Sequence, residues 1–380
     1  MTFSNVSFGD VTDNFDKKRI PLSAAQREKR QGKYRYYGAQ GVIDWVDDYI
    51  FDGTYLLIAE DGENLKSKKS NIAQLASGKF WVNNHAHVIQ CKKGYDIRYL
   101  CYLINLTDLS GYITGSAQPK LSQSSMNAIV LPMPKFEIQK EVADFIEKFD
   151  KKIQINEKVN DNLEQQAVTY FQELYINNAN PMWQIGTISD LGTVVGGSTP
   201  SKTKPEYYTN NGIAWITPKD LSINKSKFIS HGENDITELG LKNSSTTVMP
   251  KGTVLFSSRA PIGYIAIASN EVTTNQGFKS VIPYLEIGTA FVYFFLKHSL
   301  PVIESAASGS TFKEISGSAM KNIPAIIPDR STLDQFNSFC APIFAQQKIL
   351  EDQNYSLAML RDSLLPKLMS GAIDIASIQL

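Results

Sequence analysis

Residues 115–134, GSAQPKLSQSSMNAIVLPMP, are answered 194 positions later by residues 309–328, GSTFKEISGSAMKNIPAIIP. Gly115-Ser116 aligns with Gly309-Ser310, Leu121-Ser122 with Ile315-Ser316, Met126 with Met320, Ile129 with Ile323 and Pro134 with Pro328. The register holds past each proline, where Phe149 meets Ile343, Leu163 meets Leu357 and Leu174 meets Leu368. A repeat of this length is a duplicated domain with its helix, not a solenoid unit.

Beyond Pro134 the pattern is helical to about Ile176, with no Pro or Gly in residues 135–180. Val142, Phe149, Leu163 and Tyr170 share a heptad position, and Asn156 is its polar exception. Some forty residues at about 1.5 Å each make a rod of about 60 Å, and its apolar stripe needs a partner. The second copy supplies one, because Phe336, Ile343, Leu350, Leu357 and Leu364 recur every seven residues. Gln346 and Gln353 are expected to form polar layers there. Thr332 with Gln335 reads as a capping box. Pro342 is expected to split this helix and Pro366 to weaken its last turn.

The segments before the rods read as short strands. In residues 1–134, Tyr55–Ala59 reads as a buried strand, Asp52-Gly53 and Glu60-Asp61-Gly62 as turns, and Tyr95 to Leu109 as helical. Lys33 to Gly38 alternates basic and aromatic residues, and Tyr34, Tyr36 and Tyr37 are read as a core face rather than a base-stacking surface. In residues 183–328, Ile188 to Val195, Ile213 to Thr217, Gly252 to Ser257, Ile262 to Ala268 and Phe278 to Pro283 read as β pieces. Phe291 to His298 reads as a helix matching Tyr99 to Leu106. The segmentation is therefore 1–134, 135–182, 183–328 and 329–380. The fold class is α+β: two mainly-β domains related by pseudo-twofold symmetry and separated by two long antiparallel coiled-coil helices.

The chain of 380 residues has room for two to three domains and is 42% hydrophobic and 20% charged. No apolar run reaches the length of a membrane span, and the polar N-terminus does not read as a signal peptide. Cys91, Cys101 and Cys340 lack CxxC spacing, which fits a reducing cytoplasm better than a disulfide framework. The zero net charge hides a segregation. Residues 1–134 hold 16 Lys+Arg against 13 Asp+Glu and residues 183–328 hold 12 against 10, whereas the rods hold 6 against 9 and 4 against 6. Slightly basic domains are a weak footprint for a polyanion, and ordinary charge scatter explains them as well. Two related domains on a rod can face two half-sites of a polymer. On duplex DNA same-face sites recur at about 34 Å. A scaffold that binds only protein partners is the alternative.

Specific motifs decide between these. The second domain opens with Ile188-Ser189-Asp190-Leu191-Gly192-Thr193-Val194-Val195-Gly196-Gly197-Ser198-Thr199-Pro200. It continues with Gly212-Ile213-Ala214-Trp215-Ile216-Thr217-Pro218-Lys219-Asp220-Leu221 and Thr274-Asn275-Gln276-Gly277-Phe278. The chain closes on Leu364-Leu365-Pro366-Lys367-Leu368-Met369-Ser370-Gly371. The first domain carries Tyr36-Tyr37-Gly38-Ala39 and Leu57-Ile58-Ala59-Glu60-Asp61-Gly62. This ordered set resembles the specificity subunit of bacterial type I restriction–modification systems over nearly the whole chain. One departure is that the first domain lacks a clear copy of the Gly-Gly-Ser-Thr-Pro opening and has a basic run from Lys17 to Arg35 instead. Recognition domains of different subtypes would then read different half-sites.

The resemblance implies two target recognition domains, each reading part of a bipartite double-stranded DNA site. It implies helical spacers that dock two modification (adenine-N6 methyltransferase) subunits, with restriction/translocase subunits joining them. It implies no catalysis and no cofactor in this chain; S-adenosylmethionine, ATP and Mg belong to partner subunits. The residues agree, since they contain no Gly-x4-Gly-Lys-Ser/Thr loop, no Asn/Asp-Pro-Pro-Tyr/Phe segment and no Gly-x-Ser-x-Gly elbow. His85 and His87 are read as a solvent-facing strand edge rather than a metal pair, and a Cys91–His87 nucleophile has no support. Candidate DNA contacts are Lys17, Lys18, Arg19, Arg27, Lys29 and Arg30 in the first domain. In the second they are Lys202, Lys204, Lys219, Lys225 and Lys227 on phosphates, with Arg259 as a base reader.

Overall fold

The computed structural model describes residues 2–309, 313–375 and 378; Ser310 of the repeat and four positions at the chain end lie outside the described residues. The chain divides into two compact units, Met1–Lys152 with Leu357–Leu380, and Ile153–Ser356. Each unit therefore takes one recognition segment and part of each long helix.

The first unit holds a six-stranded mixed sheet. From one edge the order is Thr12–Asn14, Ala86–Cys91, Phe51–Ala59, Ala73–Val82, Gln31–Gly38 and Gly41–Val46. Phe51–Ala59 runs straight through Asp52-Gly53, which sequence reading makes a turn. Gly53, at φ +127°, pairs with Gly78 at φ +81° inside the ladder. Tyr36 and Tyr37 are both buried, as a core reading requires. They are consecutive, and the register shift between them lets neighbouring side chains both find cover.

In the second unit a five-stranded sheet follows the order Gly192–Gly196, Lys279–Pro283, Val254–Ser258, Ile262–Ala268 and Phe228–Ile229. Ile188–Leu191 is not part of a strand. It is one helical turn, entered through Thr187, whose N–H and hydroxyl both donate to Asp190.

The duplication is visible element by element. Ile97–Leu106 answers Thr289–His298, Gln123–Asn127 answers Gly317–Lys321, and Val130–Pro134 answers Pro324–Ile327. Ser122 and Ser316 cap equivalent turns by accepting from Ser125 N and Ala319 N, each at 3.1 Å. The opening is duplicated too, at a shorter offset: strand Phe3–Ser7, helix Phe8–Val11 and strand Thr12–Asn14 answer Gln184–Thr187, Ile188–Leu191 and Gly192–Gly196. Sliding the sequence by 194 positions misses this because the offset there is 180. Lys17-Lys18-Arg19 then stands where Gly197-Ser198-Thr199 stands in the second unit.

The long helices are Phe136–Phe171 and Arg330–Met369. Within the second unit they run antiparallel: Asn156 Nδ2 donates to Asn354 Oδ1 at 2.8 Å, Asn160 Nδ2 to Glu351 at 3.4 Å, and Tyr170 packs on Phe339 with ring centres 4.4 Å apart. Within the first unit Asp150 accepts from Arg361 at 2.6 Å, and Val142, Ala143 and Ile146 share a core with Leu365 and Leu368. Asn156 is 1% exposed and is the expected polar layer. Opposite it Asn354 accepts at 2.8 Å and the expected Gln353 at 3.4 Å, while the buried glutamine of the next layer is Gln347 rather than Gln346, donating to Asn160 O at 3.2 Å. The second seam follows Phe336 by four residues, through Cys340 and Gln347, so Gln346 is exposed.

Pro342 does not split the helix. It faces solvent between the buried Cys340 and Ile343, and Ser338, whose carbonyl loses its i+4 donor, is also exposed. Water can satisfy that carbonyl while both neighbours stay in the seam. Pro366 likewise leaves the helix intact to Met369, and its carbonyl accepts from Ser370 at 3.0 Å. The cap is Asp329 rather than Thr332; its carboxylate accepts from Thr332 N at 3.0 Å.

Candidate nucleic-acid interface

In each unit three backbone features converge at one end of the sheet. They are the loop after the opening strand, the loop that leads into the second strand, and an isolated bridge between two further loops. The bridge is Asp61 with Lys120 in the first unit and Arg259 with Glu314 in the second. The same backbone position thus carries opposite charges in the two copies.

In the second unit these features line an open cleft of about 660 Å³. Lys202, Lys219 and Arg259 lie in it, together with Thr199, Asn234, Asn275 and Gln276. The loops meet closely: a Cβ on Gly197 would lie 2.0 Å from the Asn275 carbonyl oxygen, so only glycine fits. Thr199 donates its hydroxyl to Gln276 Oε1, and Trp215 Nε1 donates to Ser198 O at 3.0 Å. Both bonds hold the cleft wall in shape. Thr217 caps a short helix that begins at Pro218, its N–H and hydroxyl donating back to the Asp220 carboxylate, and this helix presents Lys219.

The charges are unequally free. Lys202 is exposed and has no ion pair among the described residues. Lys219 pairs with Glu233, and that contact raises its pKa. Arg259 is half-buried and 3.2 Å from Glu314. Lys204 pairs loosely with Glu206 at 3.7 Å. Lys225 lies elsewhere, over the Tyr264 ring at 4.7 Å and beside a different cleft. Lys227 is not a surface lysine: it is 7% exposed, and burial pulls its pKa down against the opposing pull of Glu164.

In the first unit the equivalent place holds Lys17 and Lys18, both exposed, with Lys18 5.1 Å from the Phe15 ring centre. Arg19 is tied inward. It donates to Ala86 O at 2.7 Å, pairs with Glu60 at 2.9 Å, and its side chain is 14% exposed. Its 3.4 Å contact with Asn84 O is the counterpart of Thr199 on Gln276. Arg27 and Arg30 belong to another surface, where they strap a short helix to the edge strand. Arg27 pairs with Asp44 at 2.8 Å over Tyr36, and Arg30 with Asp47 at 2.9 Å over Trp81. Lys29, between them, is exposed.

His87 does not sit at a solvent-facing edge. It is 1% exposed, with Nδ1 2.6 Å from Asp16 Oδ2 and Nε2 2.8 Å from Leu121 O. His87 pairs with Ile58, and its strand lies between Thr12–Asn14 and Phe51–Ala59, so it is an interior strand and not an edge. Asp16, Glu60 and His87 have ligand atoms within 4.8 Å of one another. Arg19 already fills that space, 2.9 Å from Glu60 and 3.5 Å from Asp16, so the cluster is a buried ion-pair network in which a metal ion would have to displace a guanidinium. Burial works to raise the Asp16 and Glu60 pKa values, but bonds from His87 and from Arg19 respectively outweigh it and lower both. Only His85 of the pair is exposed, and it faces Asp61 at 2.8 Å. Burial, with Asp96, pushes the Cys91 thiol up to about 12, which removes it as a nucleophile at neutral pH.

Sequence reasoning missed Asn84, His85 and Lys120 in the first unit and Asn234, Asn275 and Gln276 in the second. The Thr274-Asn275-Gln276-Gly277 run is conspicuous, but its amides point to a cleft only once the opening loop is seen beside them.

The family model for the type I restriction modification DNA specificity domain matches residues 2–165 and 180–352. The chain is 43% identical over 162 residues to the type I restriction enzyme MjaIX specificity subunit of Methanocaldococcus jannaschii, a match covering 42% of this chain but only 37% of that subunit. It is 23% identical to the HindI specificity subunit of Haemophilus influenzae over 98% of this chain and 95% of the relative. Among solved structures, the type I restriction–modification S subunit from M. genitalium superposes with a TM-score of 0.60 at 15% identity, over 97% of this chain and 96% of that one. With both of its halves matched by that one model, the chain belongs to the family of type I restriction–modification DNA specificity proteins.

Proposed function

We propose that this chain is the DNA sequence-recognition subunit of a type I restriction–modification complex. Each unit reads one half of a bipartite double-stranded site. The paired helices set the separation of the halves and dock two methyltransferase subunits, to which restriction/translocase subunits add. The chain contributes recognition and no chemistry, while S-adenosylmethionine, ATP and Mg are handled by the partners. The complex works in the cytoplasm, consistent with the finding that no described helix is long and apolar enough to cross a membrane.

The observation that carries the reading is the duplicated convergence of loops, which in the second unit lines a cleft. Two copies of one fold bring the same loops together, and each lines them with exposed lysines and side-chain amides or imidazole. Lysines suit phosphates, and Asn, Gln and Arg suit base edges. Lys17 and Lys18 with Lys120 are the contacts proposed in the first unit, and Lys202, Lys204 and Lys219 with Arg259 in the second. Arg19 supports the first of these surfaces through its ion pairs, whereas Arg27 braces a separate surface around Asp44 and Tyr36. Lys29, Arg30 and Lys225 lie outside the convergence and would touch only flanking phosphates.

Methylome sequencing of a host carrying the gene with its modification subunit tests the reading. The expected result is one bipartite motif of two short specified halves around an unspecified spacer. A continuous motif, or none when both subunits are expressed, would refute it and favour a scaffold that binds only proteins.

A further inference from the structure

Lys227 is the least expected residue of the second unit. Its ammonium contacts Glu164 on the first long helix and Gln347 on the second. It lies 4.2 Å from the Phe344 ring centre, 4.9 Å from Tyr293 and 5.3 Å from Phe294. The backbone repeats the connection: the N–H groups of Lys227 and Phe228 donate to the two Glu351 carboxylate oxygens at 2.8 and 3.1 Å. On its other side the segment belongs to the sheet. Lys227 O accepts from Ile267 N at 2.7 Å, and Phe228–Ile229 pairs in parallel with Ile267 and Ala268. Two residues therefore join both helices to the five-stranded sheet, with a buried charge at the joint.

A buried lysine is an expensive way to fill a core. Methionine would fit among three aromatic rings without a counter-charge, whereas an ammonium that must meet both Glu164 and Gln347 accepts only one placement of the sheet on the helix pair. We propose that Lys227 is a positioning residue, a latch that fixes the angle between the recognition sheet and its helical spacer so that the complex discriminates the length of the DNA spacer. This rests on the proposed function. Adding or removing one base pair moves the second half-site by about 3.4 Å and turns it by about 35°. A rigid joint cannot follow that change, and a loosened one can.

The test uses the complete complex with its methyltransferase subunits. The substrates are duplexes carrying the methylome-derived site, the same site with the spacer longer or shorter by one base pair, and the native spacer with one base changed in either half. Lys227→Met keeps the packing volume, and Glu164 keeps Lys297 at 2.6 Å. The expected result is native-spacer methylation close to wild type, base discrimination in both halves unchanged, and a ratio of native to altered spacer reduced by about tenfold, the scale of one buried pair's coupling. An unchanged ratio in a folded variant makes Lys227 mere core and overturns the proposal. If Lys227→Met does not fold, Glu351→Gln weakens the backbone half of the same joint and must lower the ratio. No change there overturns the proposal equally. Failure of the wild-type complex to prefer its site at all would instead count against the proposed function.

Discussion

Lys202 and Lys219 line the same cleft, but Lys219 shares its charge with Glu233 and Lys202 does not. That difference gives a graded prediction. A lysine that neutralises one phosphate contributes about 0.9 to the slope of log affinity against log salt. Lys202→Ala should flatten the slope by about that amount, so that the fall in affinity between 50 and 200 mM salt shrinks by a factor of about 3.5. Lys219→Ala should flatten it less, because part of its field already ends on Glu233. Glu233→Gln should steepen it, since Lys219 would then face the phosphates uncompensated. Fluorescence anisotropy of a labelled target duplex, with the modification subunit present and salt varied, measures all three. The losses should be equal for specific and unrelated duplexes, because phosphates carry no sequence. Equal slopes for Lys202→Ala and Lys219→Ala, or no change in either, would refute the placement of this cleft on the DNA backbone.

Arg259→Ala should relax base preference in one half-site alone, by about 1–3 kcal/mol of lost discrimination, read by methylation of a library randomised in both halves. Asn156→Ala leaves Asn354 without its 2.8 Å partner in the seam and should cost about 1–3 kcal/mol, measured by urea unfolding. Pro342→Ala should stabilise the chain, because the helix already runs through that exposed position and the substitution restores a backbone donor for Ser338 O; a raised midpoint in the same experiment checks it. Acid should loosen the first unit. The Asp16 and Glu60 pKa values are lowered from 3.8 and 4.5, so their stabilisation is complete above those values and is lost as pH falls through the lower folded ones. Asp16→Asn should remove part of that acid limb, followed by fluorescence of Trp45 and Trp81 in the first unit with Trp183 and Trp215 of the second replaced by Phe.

The long helices were legible because an apolar period of seven with one Asn is a strong signal, and Asn156 does sit in the seam. Their ends and interruptions were less so. Proline costs a helix only if its lost donor is missed, and at Pro342 the orphaned carbonyl faces water; exposure at a single residue is not written in a periodic pattern. The caps failed for a similar reason, since Asp329 competes with Thr332 and only geometry ranks them. Surface lysines were legible as a class but not individually. Lys225 and Lys227 look alike in sequence, yet one lies over a surface tyrosine and the other between two helices, because the strand at Phe228 turns its neighbour inward. Arg19 was read as a phosphate contact from its place in a basic run, whereas Glu60, Asp16 and the Ala86 carbonyl, 41 to 67 residues away or just three before it, claim its guanidinium.

The duplication itself bears on what the two units read. One scaffold is used twice, with the offset changing from 180 at the opening strands to 194 at the closing ones, so the second unit carries extra chain between conserved ends. The differences collect where the loops converge. A Lys-Lys-Arg run replaces Gly-Ser-Thr, Asn83-Asn84 replaces Asn275-Gln276, and the Asp61–Lys120 bridge becomes Arg259–Glu314 with its charges exchanged. A carboxylate accepts from cytosine N4 and an arginine donates to guanine O6 and N7. Exchanging the two at an equivalent backbone position cannot preserve one preference. Under the proposed function, the two halves of the target therefore differ in sequence, and a site with two identical halves would mean that the converging loops are not the reading surface.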